Sequence, residues 1–547
     1  MHRLIMRILL LATCIAGASS LGAQQADRAV PLYDNLGTHR YDISTSVPAA
    51  QQYFDQGLRL YFAFNHAESI RAFTEATRLD SLCAICHWGI AMGHGPNINL
   101  PMDSANGAAA HAAVQRAVAL REHAAPNERA LIDALATRYV AVPGAERASL
   151  DSAYARAMKD VVRQFPDDPE ARALYAESLM DLSPWNYWTR DGQPRPDTRE
   201  LVAQIEHVLA SNPNHPGANH FYIHAVEAVD PARAVPMAER LAGLMPGAGH
   251  LVHMPGHIYI RVGRYDDAIA ANEHAVHADE SYVRDQNPGL GVYTAAYYPH
   301  NHDFLAFAAS MVGRSAQAIG AAEQMTKLVP AEMMSVPGMT FLQHHRTRHL
   351  QYKVRFARWE DILTTPAPDA ALPHARAMWH YAHGRALVAT GKPELAEADL
   401  TQLRAIAGDP AVTPLRLEFN TSGTVLEIAT AVLGARIAEA RGDHEAAIAQ
   451  LREAARLEDA MTYGEPPEWT IPVRHDLGDV LLAADRPADA ETTYREDLKR
   501  FPENGWSLRG LALSLTAQGK EAEAADVRRR FDAVWRGADV TLSARRF

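Results

Sequence analysis

Gly249-His-Leu-Val-His-Met-Pro-Gly-His-Ile-Tyr-Ile-Arg-Val-Gly-Arg-Tyr-Asp-Asp-Ala-Ile-Ala-Ala-Asn-Glu-His-Ala275 carries the pattern that decides the fold. Gly256 and Tyr259 fall on one helix, Gly263 marks a turn, and Tyr265, Ala268 and Ala275 mark a second helix whose small residues allow close packing. A shift of about 34 residues, the period of a helix-turn-helix repeat, puts Ala234 on Ala268, with Pro246 closing the earlier unit. The pattern returns as Gly313, Ala318 and Pro330, as Gly391 and Ala396, and as Gly442 and Ala447. It is cleanest at the C-terminal end, where Leu477, Gly478, Leu481, Ala490, Tyr494 and Pro502 lead into Leu511, Ala512, Leu515, Gly519 and Ala524. Gly57, Phe73 and Ala76 give a first unit over residues 50–82. Repeats that stack on their neighbours need no division into separate cores, so the length of 547 residues is compatible with one continuous array.

Spacing of this regularity between residues 50 and 535 resembles the tetratricopeptide repeat family. The fold class it implies is all-α, a solenoid of helix-turn-helix repeats with loop insertions. A narrower resemblance rests on Cys83-Ala-Ile-Cys-His-Trp-Gly-Ile-Ala, Gly95-Pro-Asn-Ile-Asn, Leu174-Tyr-Ala-Glu-Ser-Leu-Met, Asn219-His-Phe-Tyr-Ile-His-Ala-Val-Glu, Gly249-His-Leu-Val-His-Met-Pro-Gly-His-Ile-Tyr and Tyr298-Pro-His-Asn. These strings look like those of a family of exported bacterial tetratricopeptide proteins. That resemblance implies the fold and export and leaves the chemistry open.

The N-terminus reads as a secretory signal: His2, Arg3 and Arg7 precede an apolar run from Ile8, and small residues lead to a cleavage point after Ala23. Leu11-Ala12-Thr13-Cys14 offers a lipoprotein box as the alternative, with Thr13 larger than such boxes place before the cysteine. Removing residues 1–23 takes Arg3 and Arg7 from 53 basic side chains, leaving 51 against 65 acidic ones and a formal charge of −14. That sign repels phosphate backbones, so no nucleic acid partner is expected. No later stretch has the about 18 to 20 uninterrupted apolar residues of a spanning helix, so no transmembrane anchor is expected. The expected location is periplasmic or extracellular.

Three stretches depart from the period: residues 92–108, residues 183–198 with Trp185, Tyr187 and Trp188, and residues 281–296. Loops of this length in a repeat array often carry function. The proline-rich stretch 364–373 reads as a linker. The expected organisation is then a signal peptide over 1–23, an N-terminal segment over 24–49, a histidine-rich solenoid over 50–363 and a C-terminal solenoid over 374–547.

Cys83, Cys86 and His87 form Cys-x-x-Cys-His, which supports three chemistries: a local disulfide, covalent haem c attachment with His87 as axial ligand, or metal ligation. Histidine placement gives the second constellation. His250, His300 and His344 each lie thirteen residues before a turn, at Gly263, Gly313 and Ala357, so three first helices present a histidine at one repeat position. In tetratricopeptide arrays the first helices line the concave groove. His253 and His257 continue the face at steps of three and four, and Asp303 and Asn219 join it from neighbouring helices. His220 and His224 fall one register off and are assigned to the interior beside it. Imidazoles with a carboxylate suit zinc, copper or iron, and His250, His253, His257 and His300 are the candidate ligands; the spacing is not the His-Glu-x-x-His of zinc proteases. Tyr297, Tyr298, Trp185, Tyr187 and Trp188 are read as groove walls or packing anchors.

Two classes of function follow. The first is a binding protein that holds a peptide, a protein segment or a small molecule in the histidine-rich groove. The second is a metal-dependent enzyme using the same histidines, with a haem c electron carrier on Cys83 and Cys86 as a further alternative. No phosphate-binding Gly-Lys loop, dinucleotide glycine fingerprint or Gly-x-Ser-x-Gly elbow is present.

Overall fold

At the turns Gly263, Gly313, Gly391, Gly442 and Gly519 the backbone takes φ of 73° to 81°, the left-handed conformation in which a glycine has no Cβ to clash. Each ends the first helix of a pair and lets the second fold back. A computed structural model describes residues 29–141 and 146–542. The signal peptide, its cleavage point and Cys14 lie outside the described residues. Helix Pro48–Phe62 packs with His66–Leu79, Tyr298–Met311 with Ser315–Leu328, and Pro373–Ala389 with Pro393–Ala407. The series continues with Ser422–Ala440 and His444–Ala460, Val473–Ala483 and Pro487–Arg500, then Gly505–Ala517 and Glu521–Val534. Ala76, Ala268, Ala318, Ala396, Ala447, Ala490 and Ala524 each have 0% exposure, so the small residues of the repeat sit at the helix crossings. Prolines at the first positions of Pro393–Ala407 and Pro487–Arg500 start those helices at no hydrogen-bonding cost.

The fold is therefore an all-α tetratricopeptide-like solenoid. Among the described residues extended pairing is confined to isolated bridges, Asn97 with Leu100, Trp188 with Pro194 and Arg416 with Thr421. No helix of the described residues is long and apolar enough to cross a membrane.

The chain forms two compact units. The first takes the chain up to Val229 with Pro236–Val252 and His277–Thr294. Its interior includes Phe54, Phe62, Phe73, Tyr154, Ile205 and Phe221, and buries Arg138 between Asp151 at 2.9 Å and Asp181 at 2.7 Å. The second takes Asp230–Val235, His253–Val276 and the chain from Ala295 onward. One apolar cluster there runs from Leu350, Val354 and Ile362 through Met378 and Tyr381 to Trp469, Tyr494 and Val527. Residues 364–373 thus connect two helices, Trp359–Leu363 and Pro373–Ala389, whose apolar side chains belong to one cluster.

The inserted stretches differ in kind. Residues 94–103 form a loop pinned by Asn97, whose Oδ1 accepts from the backbone of Asn99 and Leu100. Residues 183–197 form a second loop that ends at Asp197, itself left-handed, before helix Thr198–Ser211. The third is shorter than the sequence suggests, because helix Tyr265–Gln286 continues through 281–286. The first helix breakers are Pro288 and Gly289, so nothing earlier stops it.

Candidate functional site

His253 closes helix Gly249–His253 and His257 lies one turn on, in Pro255–Arg261. Asn272, in the partner helix Tyr265–Gln286, places its Oδ1 2.8 Å from His253 Nδ1 and donates through Nδ2 to the Ala268 carbonyl at 2.8 Å. With the amide oriented this way, His253 Nδ1 carries the proton and Nε2 keeps its lone pair. That Nε2 stands 2.9 Å from His257 Nε2. His300, from helix Tyr298–Met311, brings its ring centroid to 5.0 Å from that of His253 and 6.1 Å from that of His257. One nitrogen from each of the three lies within 4.8 Å of the others. Phe304, one turn beyond His300, packs against all three rings at 4.4, 4.4 and 4.9 Å and fixes their arrangement. His253 and His257 are buried and His300 is half-buried, so the cluster is reached from the side of His300.

The electrostatics keep the His300 imidazole neutral. Burial pushes the His300 pKa down to about 3; Glu418 opposes this, while His257, His345 and Arg348 add to it. Burial would raise the Glu418 carboxyl, but His345, hydrogen-bonded to it at 2.8 Å, together with His300 and Arg348 holds it at about 2. A neutral imidazole is the form that ligates metals.

The remaining groove candidates go elsewhere. Asp303 accepts from Arg348 Nη2 at 2.7 Å and Nε at 3.0 Å and is buried, so its charge balances an arginine and is not turned to the histidines. His344 Nδ1 lies 2.9 Å from His374 Nε2, and His374 Nδ1 lies 2.7 Å from Ser422 Oγ, a hydrogen-bonded chain in which burial lowers both imidazole pKa values. Repeat-equivalent positions are one helix-pair step apart, about 10 Å or more, so they form a row. Convergence needs residues offset along the helix, as His300 is from His253 by one turn and from His257 by two.

His250 groups instead with His220 and His224 of helix Pro216–Val226 in the first unit. The three ligand nitrogens of this group also lie within 4.8 Å of one another. His220 Nδ1 is 2.8 Å from the Phe62 carbonyl, and His224 Nδ1 is 3.0 Å from Glu227 Oε1. Both acceptors hold the proton on Nδ1 and direct Nε2 inward, the role that orienting groups play in metal sites. Phe64 stacks on His250 with centroids 5.4 Å apart and approaches His220 at 4.6 Å; it sits at a turn with φ 56°. Trp185 meets His224 edge-on at 4.8 Å, so the second inserted loop supplies a wall. Tyr187, Tyr297 and Tyr298 are buried, and Trp188 donates to the Ala225 carbonyl at 2.7 Å. Asn219 braces the chain before its helix, donating to the Pro213 and His215 carbonyls at 2.8 Å and accepting from Arg240 at 3.2 Å, while His215 caps the helix start. The assignment of His220 and His224 to the interior holds for their burial and misses their partnership. The signal was their spacing: His220 and His224 lie 33 residues before His253 and His257, one repeat earlier.

Cys83 and Cys86 are joined as a disulfide with Cα atoms 5.4 Å apart. Both sulfurs are thereby committed to each other, and His87 stands beside them with its pKa lowered by burial and by Arg116.

No family model matches the chain, and no curated protein sequence matches it. Among solved structures it is similar to a human IFIT1 dimer with m7Gppp-AAAA, at 12% identity over 82% of this chain and 90% of that one, TM-score 0.33. A monomeric IFIT1 mutant with Gppp-AAAA gives 12% identity over 90% and 92% of the two chains, TM-score 0.32.

Proposed function

We propose that this chain is an exported, ligand-binding tetratricopeptide-type solenoid whose binding chemistry is set by transition-metal ions held on histidine. The observation that carries the reading is the 2.9 Å approach of His253 Nε2 to His257 Nε2, with His253 oriented from behind by Asn272. Two nitrogens at that separation, with a third from His300, match ligands that share one ion at about 2.0 to 2.1 Å each. Three imidazoles suit zinc, copper or iron and leave a position for a donor atom from outside. His300 is half-buried, so that position faces the accessible side, where a peptide, a protein segment or a small molecule can supply the atom. The His220, His224 and His250 cluster, with Glu227 and Phe62 behind it, supports a second ion by the same chemistry.

Export is supported by the basic and apolar N-terminal stretch and by the Cys83 to Cys86 disulfide, a bond that persists in oxidising compartments. The acidic balance of the mature chain favours partners other than nucleic acid.

The test is elemental analysis of the full chain purified from its own compartment, beside His253→Ala and His224→Ala variants of retained helicity. The expectation is bound zinc, copper or iron, with each variant holding less of it than the wild type. Full chain that takes up none of these ions on dialysis against them would overturn the reading.

A further inference from the structure

Among the described residues five arginines are buried: Arg138, Arg348, Arg355, Arg385 and Arg436. Four of them hold carboxylates. Arg138 is paired with Asp151 and Asp181, Arg348 with Asp303, Arg385 with Asp476, and Arg436 with Asp476, Glu439 and Asp479. Arg355 is different. Its Nε donates to the Ser310 carbonyl at 3.3 Å, and its Nη2 meets the Met311 sulfur at 3.3 Å, a weak acceptor. Its Nη1 has no hydrogen-bond partner in the protein, although the residue is only 6% exposed. The guanidinium lies over the Trp506 ring, 4.5 Å from the centroid, which offsets part of the lost hydration. Burial pushes the Arg355 pKa down to about 10, with Tyr352, Asp497, Tyr265 and Asp476 acting against it from a distance.

A buried cation with a donor left over is costly unless something completes it. Arg355 lines a cavity of about 650 Å³ in the second unit, the size of a small-molecule site. Trp359, Val388 and Trp506 give that cavity apolar surface, while Arg436, Glu439 and Asp479 line it as an already paired set. We propose that this cavity binds an organic monocarboxylate, with Arg355 holding the carboxylate and the apolar walls holding the body of the ligand. Glu439 and Asp479 repel a second negative charge, which makes inorganic phosphate the poorer guest. This site is independent of the histidine clusters and needs no metal.

Calorimetric titration of the full chain tests it, with octanoate and phenylacetate as probes, phenylacetamide as the neutral analogue, and inorganic phosphate as the competing anion. Both carboxylates are expected to bind saturably, the amide and phosphate at least tenfold more weakly, and Arg355→Met to weaken carboxylate binding at least tenfold. Arg355→Lys keeps the charge but loses the fork; it is expected to bind several-fold more weakly and carries the test if the methionine variant does not fold. Phosphate binding that exceeds both carboxylates would overturn the monocarboxylate assignment. Failure of both carboxylates to saturate, or undiminished binding by the folded variants, would overturn the site itself.

Discussion

A Cβ placed on Gly256 would stand 2.7 Å from Asn272 Nδ2, so the glycine leaves the room in which Asn272 reaches His253. The backbone at 256 has no need of glycine for its conformation, since it lies within a regular helix. The requirement comes from the neighbour. Gly256→Ala is therefore expected to displace the Asn272 amide, free the His253 ring and weaken metal binding about 10- to 100-fold, the range for losing an orienting partner. Asn272→Ala should do the same. Metal titration of the two variants followed by a competing chelator checks this, and unchanged affinity in both would separate Asn272 from the site.

Asp303 and Arg348 provide the opposite control. Asp303 was a candidate for the groove set, and the structure gives it to a buried arginine at 2.7 Å. Asp303→Asn should leave the Arg348 charge without its counter-ion and destabilise the fold by about 3 to 5 kcal/mol. Metal content per folded molecule should stay the same. Urea unfolding with metal analysis of the folded fraction reads both quantities.

Acid should weaken the fold through its buried histidines. His374 is held at about 3 and His300 at about 3, mainly by burial, whereas the unfolded chain takes up protons on histidine near pH 6.5. Below pH 6.5 the unfolded state binds more protons, so stability rises with pH across the window from 3 to 6.5 and is fully present above it. Each such histidine contributes about 1.4 kcal/mol per pH unit in that window. Glu177, raised to about 8 mainly by burial and Asp181, acts in the other direction, losing its contribution as pH rises from 4.5 towards 8. The informative quantity is thus a difference. Wild type should lose more stability than His374→Gln between pH 6.5 and 4, and parallel curves would show that His374 titrates normally.

The disulfide closes a very short loop. In the chain-entropy account a loop of this length contributes at most about 2 kcal/mol, so replacing both cysteines with serine should lower stability by no more than that. Intact mass of the purified chain should show two protons fewer than the reduced form, and its visible spectrum should lack a Soret band.

The repeat was legible because it is written in residues with local physical jobs. Gly263, Gly313 and Gly391 mark left-handed turns, and Ala268, Ala318 and Ala396 mark helix crossings, each readable without knowing its neighbours. Ala357 was placed at a turn by spacing alone, and its φ of 55° agrees. The histidines were harder. Counting back from turns grouped His250, His300 and His344, but equal register gives a row along the stack, and clusters form between offset positions. The convergence of His300 on His253 and His257 was inferred from their shared face. The partnership of His220 and His224 with His250 was missed because the turn-based count set them off the face. Their own 33-residue echo of His253 and His257 was the better guide. Nothing in the sequence marks Arg355 as the buried arginine lacking a carboxylate, since that depends on where four other arginines find theirs.

Phe64 occupies a turn where five later repeats place glycine, at φ 56°, and its ring covers His250. A left-handed conformation costs an ordinary residue about 1 kcal/mol, so this repeat has exchanged ease of folding for a wall. Replacing it by the glycine its siblings use would relieve the turn and strip the cover from the histidine below. The array is consequently not a row of interchangeable parts: its foremost hinge is specialised, and grafting the consensus onto it would yield a sturdier protein with a leakier site.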